Sequence, residues 1–232
     1  MNDHRLQSFP GMTGQGALAA QQNRVLRNTY LLLAVSMIPT VLGAWIGVTT
    51  GVMAAMGTGL SMILFLAGAF GFMFAIEKTK NSGAGVAVLL AFTFFMGLML
   101  SRMLAAVLGM SNGASIIMLA FGSTAGVFFA MATLATVIKR DLSGMGKFLF
   151  VGAVVLMVAM VINMFVQSTA LMLTLSVLAT GIFSAFMLYD IRRIMDGGET
   201  NYISATLALY LDIYNVFQNL LAIFGIVGGS DD

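Results

Sequence analysis

Long stretches of this sequence carry no charged residue, and they constrain the fold more than any other feature. Residues 28–76 and 148–189 contain none, and residues 81–138 contain only Arg102. Over the whole chain, 59% of residues are hydrophobic and 9% are charged, whereas soluble domains average about 25% charged residues. A chain of this composition cannot cover a water-facing surface, so we expect an all-α integral membrane protein.

The lengths of the uncharged stretches predict seven transmembrane helices. A helix needs about 20 residues to cross the roughly 30 Å hydrocarbon core. Each of the three long stretches therefore holds two crossings, with turns near residues 49–51, 109–113 and 167–169, and residues 202–227 hold one more. This layout predicts a polar tail over residues 1–28, a membrane domain over residues 29–227 and a short acidic tail over residues 228–232.

The basic residues predict the orientation. Every lysine and arginine except Arg102 falls on one side of this layout. By the positive-inside rule that side faces the cytoplasm, so the N-terminal tail is expected inside the cell and the C-terminal tail outside. The net charge of +2 then reports orientation and not affinity for nucleic acid.

The absence of cysteine and the single histidine limit the chemistry. Without cysteine there are no disulfides, thiolate metal sites or cysteine nucleophiles. His4 lies in the polar tail, so the membrane core has no histidine for a metal site or a Ser–His dyad. We therefore expect a protein that is not an enzyme and holds no resident cofactor.

Glycine spacing predicts where helices meet. Gly122 and Gly126 are four residues apart, and Gly68 and Gly71 are three apart. Because small residues let helices approach closely in lipid, we expect both pairs to mark close helix contacts.

Asp212 is the only charged residue in the last apolar stretch. Placing an ionised group inside hydrocarbon costs about 2.5–3.5 kcal/mol on insertion scales, so such a residue by default marks a functional site. Asn215 and Asn219 follow at i+3 and i+7 on the same helix face. This polar stripe is expected to line a hydrated path; the alternative is that it bonds neighbouring helices together.

Asp190 lies at the end of the sixth predicted span, two residues before Arg192. It could be a solvated or paired residue at the membrane surface. However, the short loop that follows makes the last two helices neighbours, and Asp190 is then expected to face Asp212. Two carboxylates in low dielectric cannot both ionise cheaply, so the pair would titrate as a unit. Their oxygens are also suitable ligands for Ca²⁺. The pair is therefore expected to act as a proton sensor, as a transient cation site, or as both.

Glu77 and Lys78 end the second predicted span on the cytoplasmic side. The simpler interpretation is a solvated helix end. The alternative is that they support the acid pair, since Glu77 lies at a similar depth.

Several segments resemble the Bax inhibitor-1 family, also called the transmembrane Bax inhibitor motif family. The likeness is densest in residues 187–191 (MLYDI) and 207–215 (LALYLDIYN), which look like the family's last two helices with both aspartates. Residues 139–143 (KRDLS) look like its central cytoplasmic loop. Residues 27–30 (RNTY) and 197–202 (GGETNY) resemble the proteobacterial branch in particular.

The resemblance implies a seven-helix inner-membrane protein with its last helix central, and a pH-sensitive calcium leak governed by Asp190 and Asp212. For the proteobacterial branch it also implies restraint of a membrane-anchored ATP-dependent protease, which we assign to the N-terminal tail. The two functions are not exclusive. One departure stands out: calcium-leak relatives carry a basic residue at the end of the second helix that latches the acids, and here that position reads Glu77, with Lys78 next.

Overall fold

The computed structural model describes residues 10–229, which form helices joined by short turns and contain no strand. The helices are α1 (Pro10–Thr50), α2 (Val52–Ala55), α3 (Gly57–Thr79), α4 (Gly83–Leu108), α5 (Gly113–Val137), α6 (Met145–Val166), α7 (Thr169–Met195) and α8 (Tyr202–Gly228). All except α2 are long and apolar enough to cross a membrane. The predicted seven crossings are therefore confirmed.

The turns lie where the sequence predicts them, and the first is more elaborate than expected. Residues 109–112 separate α4 from α5, and residues 167–168 separate α6 from α7. Between α1 and α3 the chain makes the single turn α2, framed by Gly51 at φ 65° and Gly57 at φ 71°. Glycine adopts this left-handed conformation without steric cost, so the two glycines set the bounds of the extra turn.

Helix α1 begins at Pro10, well inside the segment that the sequence predicts as a polar tail. Its candidate crossing begins at Leu18, and Val25 is buried. Residues 17–22 (ALAAQQ) are all good helix formers, which favours a helix that starts ahead of the apolar stretch. The tail residues 1–9, with His4, and the acidic residues Asp231 and Asp232 lie outside the described residues.

The closest helix contact joins α1 and α4. A Cβ atom added at Gly43 would lie 2.1 Å from the carbonyl oxygen of Phe94, so the backbones meet there. Gly68 packs against the ring of Phe95, as its spacing predicts. The same prediction is wrong for Gly71, Gly122 and Gly126, whose added Cβ atoms would meet nothing within 4 Å. Spacing alone does not say which face of a helix turns inward.

Helix α8 packs against α1, α3, α4, α5 and α7, whereas α6 packs only against α7 among the described helices. Accordingly α8 carries the longest series of buried residues, and α6 exposes most of its apolar side chains, Phe165 being 84% exposed. Exposed apolar faces of this kind fit lipid contact.

The antiparallel arrangement gives the bundle two distinct ends. We call the basic end the one where α1 begins and where α3, α5 and α7 finish, because the clustered lysines and arginines lie there. The distal end is the opposite one, where α1, α4, α6 and α8 finish.

Candidate functional site

Asn201 fixes the entry into the helix that carries Asp212. Its side-chain oxygen caps α8 by accepting hydrogen bonds from the backbone N–H groups of Ile203 (2.9 Å) and Ser204 (3.1 Å). Its amide donates to the carbonyl oxygen of Lys80 (3.0 Å) and to the Asn81 side chain (2.9 Å). Asn201 thus caps the N-terminus of α8 and also bonds it to the α3–α4 turn.

The side chains of Asp190 and Asp212 lie within the reach of one hydrogen bond of each other. Two carboxyl groups can form this bond only when one of them carries a proton, since an ionised carboxylate is an acceptor only. Asp212 is 5% exposed, and its Oδ2 has no hydrogen-bond partner among the described residues. The structure thus brings the two acids together, on adjacent helices, inside the bundle.

A small cavity opens beside Asp190 toward the basic end. It has a volume of about 20 Å³ and is lined by residues of α7, the α7–α8 loop and α8, including Asp190, Arg193, Glu199 and Ser204. This acid cavity has room for one water molecule. Arg193 and Glu199, which carry opposite charges, line it together with Asp190.

The two arginines that follow Asp190 have partners of their own. Arg192 pairs with Asp196 (Nε to Oδ2, 2.9 Å) and donates to the carbonyl oxygen of Ala135 on α5 (3.2 Å). Arg193 donates to the carbonyl oxygen of Gly198 (3.3 Å). Asp190 is therefore not simply a surface acid paired with the arginine that follows it.

The two amides of the predicted stripe continue from Asp212 toward the distal end. Asn215 donates to the carbonyl oxygen of Leu211, and Asn219 donates to that of Asn215, each at 2.8 Å. Both bonds lie within α8, so the donors reach back along their own helix. Asn219 is buried, and Asn215 is partly buried.

Glu77 and Lys78 are not in contact with the acid pair. Glu77 is exposed and forms an ion pair with Lys80 at 2.5 Å, while Lys78 lies over the ring of Phe74, 5.1 Å from its centroid. This arrangement fits the interpretation of a solvated helix end. Among the described residues, no basic side chain of α3 contacts Asp190 or Asp212, so the latch of the calcium-leak relatives has no counterpart on α3.

Sequence reasoning missed two tyrosines that fasten α8 to its neighbours. The Tyr210 hydroxyl is hydrogen-bonded to the Thr40 hydroxyl on α1 (2.9 Å), and the Tyr214 hydroxyl donates to the carbonyl oxygen of Met96 on α4 (3.2 Å). The signal was available, because both tyrosines flank Asp212 at two residues' distance. At two residues' distance along a helix, the tyrosines lie on the face of α8 that turns away from Asp212.

Sequence reasoning also missed a larger cleft of about 700 Å³ at the distal end. This distal cleft lies between the ends of α4 and α8 and the α6–α7 turn; its lining includes Met103, Met110, Asn163, Gln167, Met172 and Gly225. On α8, Leu221 and Ala222 line it, two and three residues after Asn219. The polar stripe therefore runs from the acid pair toward the distal cleft.

The described residues hold no group of three or more histidine, cysteine or acidic side chains arranged to bind a metal. The acid pair offers only two carboxylates, whereas a resident Ca²⁺ takes six to eight oxygen ligands.

The fold and the site define a seven-span helical membrane protein with two closely spaced acids on its last two helices. The chain belongs to the Bax1-I family, described as inhibitor of apoptosis-promoting Bax1, whose profile matches residues 22–229. The resemblance drawn from the sequence is thereby confirmed.

Three relatives from bacteria extend this finding. An Escherichia coli protein named modulator of FtsH protease YccA is 38% identical over 203 residues, 88% of this chain and 90% of its own. Its counterpart in a second E. coli strain, named inner membrane protein YccA, has the same values. An uncharacterized membrane protein of Vibrio cholerae is 39% identical over 215 residues, 91% of this chain and 93% of its own. Together with the seven apolar helices, these likenesses identify a multi-pass protein of the bacterial inner membrane.

Proposed function

We propose that the protein is a non-enzymatic cation leak of the inner membrane, which passes Ca²⁺ slowly under the control of Asp190 and Asp212. The observation that carries this proposal is the close approach of two acids on adjacent helices, with Asp212 buried inside the bundle. In this proposal α8 is the central helix, and the basic end faces the cytoplasm.

Proton exchange at the acid pair would provide the control. With one shared proton, the hydrogen bond holds α7 against α8 and the route along α8 stays closed. Loss of that proton leaves two like charges in contact at low dielectric, and their repulsion favours separation of the helices. The acid cavity beside Asp190 gives water, and hence protons, a place next to the pair.

The polar stripe on α8 supports a route for the ion. Asp212, Asn215 and Asn219 offer carboxylate and amide oxygens along one face, which are the ligands that Ca²⁺ prefers. With only two carboxylates the site would bind the ion weakly, and conduction requires weak binding so that the ion can leave.

Calcium flux into liposomes that carry the purified protein, measured from acidic to neutral pH, tests this function. We expect slow entry that increases as the pH rises. Entry equal to that of protein-free liposomes at every pH would overturn the proposal.

A second function is restraint of a membrane-anchored ATP-dependent protease through the N-terminal segment. Two observations favour it: the name of the YccA relative, and the extension of α1 back to Pro10, eight residues ahead of its candidate crossing. Neither observation conflicts with a leak, so one protein could carry both functions.

A further inference from the structure

The distal cleft has no part in the proton control proposed above, and its shape and lining point to a ligand of another kind. We propose that it binds one acyl chain of a phospholipid, with the polar head at the α6–α7 turn. The proposal does not depend on whether the protein conducts ions.

The chemistry of the lining favours an apolar occupant in the body of the cleft. No lining residue of the distal cleft is charged. Three of them, Met103, Met110 and Met172, are flexible thioethers that adapt to irregular apolar shapes. Small residues such as Gly225 leave room between them, and a volume of about 700 Å³ lies in the range of ligand pockets.

The helix arrangement opens the cleft toward lipid. Within residues 10–229, α4 has no close backbone approach to α6 or α7, and α6 has none to α8. The cleft lies in the gap that these helices leave. Exposed apolar side chains, Leu108 on α4 and Phe165 and Val166 on α6, adjoin its lining in the sequence. A lipid chain is therefore the apolar molecule that reaches this gap without crossing water.

The α6–α7 turn supplies a polar rim suited to a lipid head. Gln167 adopts a left-handed conformation (φ 55°), held by a hydrogen bond from its N–H to the carbonyl oxygen of Asn163 (2.7 Å). The Asn163 side chain, 6% exposed, accepts from the N–H of Ser168 (3.2 Å). This turn places uncharged amide and hydroxyl groups of residues 167–169 at the cleft, where they can donate to ester or phosphate oxygens.

Photo-crosslinking to a labelled lipid tests the proposal. The full-length protein is placed in vesicles of phosphatidylethanolamine and phosphatidylglycerol with a trace of phosphatidylglycerol that carries a diazirine in one acyl chain. After illumination, labelled peptides are located by mass spectrometry. We expect stronger labelling around Met103 and Met172 than around Phe165, which reports ordinary surrounding lipid.

Two substitutions that fill the cleft provide the decisive comparison. Gly225→Leu projects into the cleft, since a Cβ atom there would meet only Val107, at 3.7 Å. Ala106→Leu does the same from α4, should the first variant fail to fold. Either variant should lose the labelling of the cleft and keep that of Phe165. Gly122→Leu, on an open face of α5, is the matched control and should change neither.

Other occupants would give different results, each of which overturns the proposal. Cleft labelling equal to that of Phe165 and unchanged in Gly225→Leu would mean surrounding lipid only. Because the chain has no cysteine, Ala106→Cys gives a single thiol at the cleft. Rapid reaction of that thiol with a charged, membrane-impermeant reagent would mean a water-filled vestibule. A disulfide-linked dimer would assign the cleft to a second copy of the chain.

Discussion

Gly97 on α4 lies directly against the backbone of Thr40 on α1. A Cβ atom at position 97 would stand 2.0 Å from the Thr40 carbonyl oxygen, closer than any real contact of this type. Because the Thr40 hydroxyl is bonded to Tyr210, this contact also sets where α1 meets the helix that carries Asp212.

Gly97→Ala should therefore destabilise the protein. Overpacking a close contact typically costs about 1–3 kcal/mol, and here the obstacle is backbone, which cannot rotate away. The measurement is thermal unfolding in detergent. Gly122→Ala, where nothing lies within 4 Å, is the control, and equal melting temperatures for the two variants would contradict the close approach.

Removing one charge from the acid pair should alter the pH profile of calcium flux. Asp212→Asn keeps the size of the side chain but cannot ionise, so we expect the pH dependence to flatten. Asp190→Asn should shift the same transition, and the double variant should resemble the stronger single variant, since coupled groups act as a unit. The control is Asp196→Asn, an exposed acid on the same chain segment that pairs with Arg192. A wild-type profile in either single variant would rule out the shared proton.

Reporter fusions should locate the two ends of the bundle. A reporter after Asp232 is expected to be periplasmic, and one inserted in residues 139–147 is expected to be cytoplasmic, because the clustered basic residues stay inside. A cytoplasmic C-terminus would contradict this orientation.

Deleting the start of the chain should remove restraint of the protease, if that second function holds. A deletion of residues 1–17 spares the whole candidate crossing, which begins at Leu18, and also spares Gln22. The Gln22 side chain lies against Gly197 in the α7–α8 loop, where an added Cβ atom would be 2.7 Å from its Nε2. We expect shorter lifetimes of protease substrates in cells with the deletion and unchanged membrane insertion. Substrate lifetimes that match those with the intact protein would argue against this segment as the contact.

The loop between α5 and α6 offers a test outside the membrane. Hydrogen bonds from the Ser143 backbone N–H (2.8 Å) and hydroxyl (3.0 Å) hold the pKa of Asp141 below its ordinary value. The ionised acid therefore favours this turn above the ordinary pKa, and the contribution is lost as the pH falls through the lowered pKa. Ser143→Ala removes only the hydroxyl bond, so NMR titration should show the pKa of Asp141 rising part of the way back. An unchanged pKa would mean that the backbone bond alone is responsible.

The crossings could be predicted from the sequence because the hydrocarbon thickness fixes the length of a spanning helix, and charged residues mark its ends. The contact of Asp190 with Asp212 followed for a similar reason, since a short loop between two helices makes them neighbours. Their roles in conduction and pH sensing remain predictions.

The positions of Tyr210 and Tyr214 beside Asp212 are visible in the sequence. Their hydrogen-bond partners and the distal cleft could not be predicted, because both depend on how helices distant in sequence pack against each other. Gly122 and Gly126 show the same limit. Their spacing is that of a packing motif, yet both face outward. Spacing along one helix carries no information about which face its neighbours choose.

Helix α1 runs unbroken over 41 residues, which is about 60 Å at 1.5 Å per residue and roughly twice the hydrocarbon thickness. An ATP-dependent protease that binds the beginning of α1 would therefore pull on a folded helix anchored in the membrane, and not on an unfolded segment. To translocate more of the chain, the protease must break the backbone hydrogen bonds of α1 and then separate α1 from α4. In the protease function proposed above, the long contact between α1 and α4 would then oppose extraction of the chain from the membrane.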